Sequence, residues 1–126
     1  MSGSPHRKIL VVDDLSDMRN ILRITLERDG WTVIEAATGT QAVGLVDREK
    51  PDVILMDYNM PEMNGIDACD YIKNSLQLSH IPILIYTGAG SESARNAAMQ
   101  AGAVDFLLKP LMPADLRAIV NQVYKS

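Results

Sequence analysis

Four consecutive apolar residues followed by an aspartate constrain the fold of this chain more than any other feature. Residues 53–56 (VILM) include two β-branched side chains and are typical of a strand buried on both faces. Asp57 follows where this strand leaves the sheet, and Pro61 and Gly65 then favour a loop before the next helix. Such a strand delivers one acid to a sheet edge, although an aspartate at a strand end also commonly begins a turn or caps a helix.

The composition indicates one compact domain with a substantial core. The chain has 126 residues, of which 47% are hydrophobic, and its net charge is −4. This acidic balance lacks the basic patch that nucleic-acid binding requires, so we expect no direct contact with nucleic acid. No apolar run approaches the ~20 residues of a membrane span, and we expect no membrane contact.

The first residues and the single cysteine suggest where the domain begins and where it works. Residues 1–7 lack the apolar centre of a signal peptide and are predicted to be a short disordered lead-in to a domain at 8–126. Cys69 is the one cysteine, which excludes an internal disulfide and favours a reducing cytoplasmic location. We expect Cys69 to serve only as a small buried side chain.

Strands and helices alternate five times along the chain. Short apolar strands separated by helices favour a parallel sheet with helices on both faces, so the predicted fold is α/β, doubly wound and three-layered. A five-stranded chain of this kind favours the flavodoxin-like strand order 2-1-3-4-5. The predicted strands are 8–12, 31–36, 52–57, 81–87 and 103–108, and the predicted helices are 15–29, one between Gly39 and Pro51, 66–76, 91–100 and 112–124.

Polar side chains stand at four of the five predicted strand ends. The ends of strands one, three, four and five carry, in that order, Asp13-Asp14, Asp57, Thr87 and Lys109. In a parallel sheet these ends share one edge, so three carboxylates, a hydroxyl and an ammonium group should converge. The carboxylates would repel one another, and a divalent cation with oxygen ligands, Mg²⁺ by preference, relieves that repulsion. Positive charge around one carboxylate nucleophile is suited to receiving a phosphoryl group.

Each of these residues also has an ordinary interpretation when taken alone. Asp13 or Asp14 would serve as the cap of the first helix, as Ser16 also would. Thr87 would be a strand-end hydroxyl and Lys109 a solvated surface charge. The agreement in chemistry between four strand ends favours the phosphoryl site over these separate explanations.

Over about residues 7–125 the chain resembles the receiver domain of two-component response regulators, of which the chemotaxis response regulator is the single-domain example. The matching stretches are residues 9–14 (ILVVDD), 57–65 (DYNMPEMNG), 86–88 (YTG) and 106–110 (FLLKP). The resemblance implies that Asp57 is the phospho-acceptor. It also implies an Mg²⁺ site, with Mn²⁺ able to substitute, in which Asp14 binds directly, Asp13 acts largely through water and the backbone carbonyl of Asn59 completes the protein ligands.

The resemblance also implies a switch that depends on phosphorylation. Lys109 contacts the phosphoryl oxygens, and the bond between Lys109 and Pro110 is cis, a geometry that is inexpensive only before proline. Thr87 bonds the phosphoryl group, which makes space for Phe106 to turn inward. Because Phe106 lacks the hydroxyl of the tyrosine common at that position, packing alone must set its rotamer; the alternative is that Phe106 is static core.

The function implied by the resemblance is that of a phosphorelay switch. A histidine kinase or a phosphotransfer protein donates the phosphoryl group, and a downstream protein recognises a surface within about residues 91–125. Such a domain catalyses only its own phosphorylation and dephosphorylation and is not a turnover enzyme. Ile119 stands where the DNA-binding branch that dimerises through this face usually has arginine, so a monomer or a weak dimer is expected.

Three other functions are compatible with parts of the sequence. An aspartyl-phosphate hydrolase of the haloacid dehalogenase type also uses a strand-end aspartate, but it needs a second acid where this chain has Asn59. A flavodoxin-like cofactor binder would use residues 87–91 (TGAGS), and nothing else in the chain supplies a flavin site. A pseudo-receiver would only bind partners, and the complete acidic set argues against it.

Overall fold

A computed structural model describes residues 7–125, in which five strands alternate with five helices. Residues 1–6, most of the predicted lead-in, lie outside the described residues. The strands are β1 (Lys8–Val12), β2 (Thr32–Ala36), β3 (Val53–Asp57), β4 (Ile83–Thr87) and β5 (Asp105–Leu108). The helices are α1 (Ser16–Glu27), α2 (Gly39–Glu49), α3 (Gly65–Lys73), α4 (Glu92–Gln100) and α5 (Pro113–Lys125).

The strands form one parallel sheet in the order β2-β1-β3-β4-β5, which confirms the predicted topology. Two separate groups of buried side chains lie on its two faces. One group includes side chains of α1 and α5, and the other includes side chains of α2, α3 and α4. The domain is therefore doubly wound, and β1 and β3 are neighbours at the point where the winding changes direction.

The strands β3 and β4 contribute buried side chains to both faces of the sheet. Every residue of β3 and β4 is buried, and their side chains alternate between the two faces. Leu55 and Leu84 pack toward α1 and α5, whereas Ile54 and Ile83 pack toward α2, α3 and α4. Full burial of one such side chain contributes roughly 1.5–3 kcal/mol, so β3 is firmly held at the strand end that carries the acid.

Several local details differ from the sequence-based expectations. The fourth and fifth strands begin at Ile83 and Asp105, each two residues later than expected. The third helix ends at Lys73 instead of continuing to residue 76, and Leu76 is 93% exposed. Neither Ser16 nor Asp14 caps the first helix, because the residue preceding it is Leu15 and has no side-chain cap. The Leu15 N–H group instead donates to Asp13 Oδ1 at 2.9 Å.

Cys69 is buried and makes no disulfide. Its Sγ atom lies 3.5 Å from the carbonyl oxygen of Ala101. Burial raises the pKa of the thiol to about 11, so the sulfur stays protonated and unreactive at neutral pH. These surroundings support the packing role expected for Cys69.

Arg7, the last residue of the predicted lead-in, is ordered. Its guanidinium carbon lies 4.7 Å from the ring centroid of Trp31, a cation–π contact, and Nη1 donates to Asn121 Oδ1 at 2.9 Å. The ring of Tyr124 also packs against Trp31, in an edge-to-face arrangement. These contacts join the start of β1 to the end of α5.

Within residues 7–125, none of the helices is long and apolar enough to cross a bilayer.

Candidate functional site

Asp13, Asp14 and Asp57 form an acidic cluster at the carboxyl edge of the sheet. One oxygen from each carboxylate lies within 4.8 Å of the others. Asp13 is fully buried and Asp57 is 4% exposed, whereas Asp14 faces solvent. The predicted convergence of the three acids is thus observed, and the cluster is open to solvent on the side of Asp14.

The loop after β3 folds tightly around Asp57. The N–H of Asn59 donates to Asp57 Oδ1 at 3.2 Å, and the N–H of Gly65 donates to the carbonyl of Tyr58 at 2.9 Å. The position of Gly65 has no space for a side chain, since an added Cβ would lie 2.4 Å from the Asp57 carbonyl oxygen. This close approach brings the start of α3 directly against the end of β3.

Lys109 faces two of the three acids from the end of β5. Its Nζ atom lies 3.4 Å from Asp57 Oδ2 and 3.7 Å from Asp13 Oδ2, and its side chain is only 20% exposed. The Lys109–Pro110 peptide bond is cis, as the resemblance implied. The Lys109 ammonium therefore lies against the acidic cluster and is not a solvated surface charge.

The electrostatics of the cluster favour a bound cation. Burial raises the pKa of Asp57 above its ordinary value of 3.8, and the charge of Asp13 raises it further. The Lys109 ammonium and the Asn59 N–H group lower this pKa in part. One ammonium group does not balance three carboxylates, and a set of oxygen donors open to water on one side fits a hard divalent ion such as Mg²⁺.

Thr87 lies at the end of β4, beside the cluster, and is 1% exposed. Its Oγ1 atom accepts hydrogen bonds from the Ala89 N–H group at 3.2 Å and from Asn59 Nδ2 at 3.3 Å. The carbonyl oxygen of Thr87 accepts from the Lys109 N–H group, which links the ends of β4 and β5. The hydroxyl can still donate its own hydrogen.

Phe106 lies in β5 with its ring turned into the core. The side chain is 6% exposed, and its ring centroid lies 6.3 Å from that of Tyr58 in an edge-to-face arrangement. Because Tyr58 directly follows Asp57, Phe106 is one aromatic contact away from the acidic cluster. This inward position is the one that the resemblance attributes to the switched form.

Two residues that sequence reasoning missed hold Asp13 in place. The hydroxyl of Tyr86 donates to Asp13 Oδ2 at 2.5 Å, and Arg19 Nη1 donates to the Asp13 carbonyl oxygen at 2.6 Å. Burial, followed by the bond to Asp13, raises the pKa of the Tyr86 phenol, which therefore remains a donor. The sequence does contain one signal for Tyr86, since it is a hydroxyl-bearing aromatic residue in an otherwise aliphatic strand, directly before Thr87.

Comparisons with known proteins agree with this geometry. The profile of the response regulator receiver domain family matches residues 9–121. The chemotaxis protein CheY of Thermotoga maritima is 36% identical over 94% of this chain and 98% of its own length. The solved structure of the chemotaxis protein CheY4 of Vibrio cholerae superposes with a TM-score of 0.90 and 31% identity, covering 94% of this chain and 99% of that one.

Longer regulators share the same region. The alkaline phosphatase synthesis transcriptional regulatory protein PhoP of Bacillus subtilis is 34% identical over 95% of this chain but only 49% of its own length. The chain spans about half the length of several curated relatives that it matches. Receiver domains are signalling switches of two-component systems and not turnover enzymes. From its sequence profile, its fold and the acidic cluster at its sheet edge, this chain belongs to the response regulator receiver domain family.

Proposed function

We propose that this domain receives a phosphoryl group on Asp57 from the phosphohistidine of a histidine kinase or phosphotransfer protein, with Mg²⁺ as cofactor. One observation carries the proposal: a nearly buried carboxylate lies between two further acids and a lysine, at the carboxyl edge of the sheet. The signal would then pass to a downstream protein. We place the domain in the cytoplasm, as a monomer or weak dimer without direct contact with nucleic acid.

The transfer requires few chemical groups from the protein. An Asp57 carboxylate oxygen forms a bond to phosphorus while the bond between phosphorus and the donor's imidazole nitrogen breaks, and the imidazole leaves with the electron pair and takes up a proton. The product on Asp57 is an acyl phosphate, which water later hydrolyses back to carboxylate and phosphate. Lys109, already 3.4 Å from Asp57 Oδ2, would stabilise charge on the phosphoryl oxygens.

The same residues fit the implied cation. Asp14 and Asp57 would bind Mg²⁺ directly, Asp13 largely through water, and the Asn59 carbonyl would complete the protein ligands. When bound, the ion neutralises charge on the phosphoryl oxygens and holds them against Asp57. The solvent-facing position of Asp14 supports this assignment, since Mg²⁺ usually keeps several of its waters.

The proposed output surface consists of α4, β5 and α5, within about residues 91–125. Met99, Val104 and Leu108 are 39%, 44% and 60% exposed, so this face presents apolar area to a partner. Thr87 would turn its hydroxyl toward the phosphoryl group, and the loop that follows would move with it. Phe106 borders this loop, since a Cβ added at Gly90 would lie 3.4 Å from Phe106 Cε2, and its carbonyl oxygen accepts from Arg95 of α4. We assign Phe106 the role of transmitting the change.

Intact-mass spectrometry after incubation with acetyl phosphate tests the proposal. We expect one phosphoryl group per chain in the presence of Mg²⁺ or Mn²⁺ and none after chelation, because the carboxylates repel an anionic donor without the cation. Sustained release of phosphate from small esters would instead indicate a hydrolase. If neither acetyl phosphate nor a phosphorylated phosphotransfer domain labelled the chain, the proposal would fail in favour of a partner-binding pseudo-receiver.

A further inference from the structure

Tyr86 is fully buried directly beneath the acidic cluster. It lies in β4 opposite Asp57 of β3, and its ring packs among side chains of the face covered by α1 and α5. Its hydroxyl reaches Asp13 Oδ2 at 2.5 Å. A buried phenol needs a hydrogen-bond partner, and here the partner is an acid of the cluster.

The Tyr86 hydroxyl completes the fixation of Asp13. Asp13 Oδ1 already accepts from the Leu15 N–H group at 2.9 Å, so each oxygen of this carboxylate has one donor of its own. Rotation of the carboxylate would break both bonds. The carboxylate is therefore held in one orientation, with an oxygen within 4.8 Å of oxygens of the other two acids.

Tyr86 also contacts Lys109. The Lys109 Nζ atom lies 4.8 Å from the centre of the Tyr86 ring, within range of a cation–π contact. The ammonium hydrogen-bonds Asp57 Oδ2 at 3.4 Å and stands 3.7 Å from Asp13 Oδ2, the oxygen occupied by the phenol. Because the phenol occupies Asp13 Oδ2, the Lys109 ammonium forms its hydrogen bond with Asp57.

We propose that Tyr86 is a positioning residue of the acceptor site, where its hydroxyl holds Asp13 and its ring supports Lys109, so that the ammonium is directed at Asp57. This inference rests on the proposed function and deepens it. Tyr86 does not touch the reacting atoms; it acts through Asp13 and Lys109.

The variant Tyr86→Phe isolates the hydroxyl, because the ring, its packing and its contact with the ammonium group remain. Asp13 Oδ2 then loses its donor inside the protein, and Lys109 is the nearest group able to replace it. The ammonium group should shift from Asp57 toward Asp13. The Lys109 ammonium would then no longer stand beside Asp57 to contact the phosphoryl oxygens. Asp13 would become less available to a hydrated cation.

The test compares Tyr86→Phe with Tyr124→Phe, which removes a phenolic hydroxyl from the ring that packs on Trp31, away from the cluster. The first measurement is the NMR shift of the Lys109 ε-methylene group in metal-free buffer, where the Tyr86 ring current makes the signal sensitive to position. The second is the dissociation constant for Mg²⁺ by amide titration, and the third is the phosphorylation rate with acetyl phosphate at saturating Mg²⁺.

In Tyr86→Phe we expect the Lys109 signal to move, and both Mg²⁺ affinity and phosphorylation rate to fall about 10-fold, the scale typical of residues that orient metal ligands. Tyr124→Phe should leave all three unchanged. An unmoved Lys109 signal with affinity and rate within about twofold of wild type would overturn the proposal, even if Tyr86→Phe were less stable, because a purely structural role predicts that outcome.

Two further outcomes separate this inference from the proposed function. If the wild type bound no Mg²⁺ and was labelled neither by acetyl phosphate nor by a phosphorylated phosphotransfer domain, the proposed function would fail. The metal-free Lys109 signal would still decide whether Tyr86 positions the ammonium group. If Tyr86→Phe did not fold, the wild type itself would serve. A slowly exchanging hydroxyl proton of Tyr86 is expected in its NMR spectrum, and rapid exchange of that proton with solvent would overturn the assignment.

Discussion

Asp57→Asn is expected to remove all phosphoryl acceptance while leaving the fold intact. The asparagine side chain has nearly the same shape, but its neutral amide does not attack phosphorus, and it also removes one carboxylate from the cluster that binds the cation. Intact-mass spectra after incubation with acetyl phosphate and Mg²⁺ should show no adduct on the variant.

Asp47→Asn is the matched control, because Asp47 is an exposed acid on α2 outside the cluster. It should be phosphorylated like the wild type. An adduct that persisted in Asp57→Asn would place the acceptor on another residue, and peptide mapping would identify it.

Asp57→Asn should also be more stable than the wild type in metal-free buffer at neutral pH. Because the folded-state pKa of Asp57 is raised above 3.8, ionisation of this group costs folding free energy. The stability that neutral Asp57 gives the wild type is fully present below pH 3.8, and it is lost as the pH rises through the folded-state pKa of this group. The stability advantage of Asp57→Asn should therefore grow from pH 4 to pH 7, as Asp57 of the wild type ionises.

Urea unfolding at several pH values measures this difference. Saturating Mg²⁺ should reverse it, because a ligand at 100 times its dissociation constant stabilises the folded state by about 2.7 kcal/mol, and the variant binds the ion less tightly. A wild type that was more stable than Asp57→Asn in metal-free buffer at pH 7 would contradict the assigned cost of burying this charge.

Gly65→Ala is expected to lower the free energy of unfolding by about 3 kcal/mol and to disturb the acceptor site. The added methyl group would lie 2.4 Å from the carbonyl oxygen of Asp57, a backbone atom at the end of a fully buried strand. Neither the start of α3 nor the end of β3 can move without breaking the hydrogen bond from Gly65 to Tyr58. Chemical denaturation gives the stability, and the rate of labelling by acetyl phosphate reports on the site.

Gly44→Ala is the control for this substitution. Gly44 lies inside α2, and an added Cβ would meet no heavy atom within 4 Å. Because alanine favours helix interiors, this variant should gain roughly 0.5–1 kcal/mol. Equal effects of the two substitutions would show that the contact with Asp57 is not what excludes a side chain at residue 65.

The fold and the acidic cluster could be predicted because they depend on patterns that recur along the chain. Apolar strands alternating with helices specify a parallel sheet, and a parallel sheet places Asp13, Asp57 and Lys109 at one edge whatever the helices do in detail. Helix ends were less predictable. The expected side-chain caps of α1, for example, are absent because Leu15 precedes the helix, and Asp13 accepts from the Leu15 N–H group in a local turn instead.

The residues that support the site could not be predicted from periodicity. Tyr86 occupies a core position in β4. Its importance depends on the length of its side chain, which lets its hydroxyl reach Asp13. Arg19 reaches the Asp13 carbonyl from α1, and nothing in the spacing of a helix indicates which acceptor an arginine will find. Arg7, assigned to a disordered segment, is held by Trp31 and Asn121.

The contacts of Arg7 have a practical consequence for experiments that attach something to this domain. They bring the first described residue next to α5, at the edge of the sheet opposite the acidic cluster. The five residues of β1 separate the two edges by about 16 Å. A fluorophore or a surface tether attached at Lys125, the exposed last residue of α5 at that same edge, would therefore leave the entrance near Asp14 clear for measuring donor and partner binding.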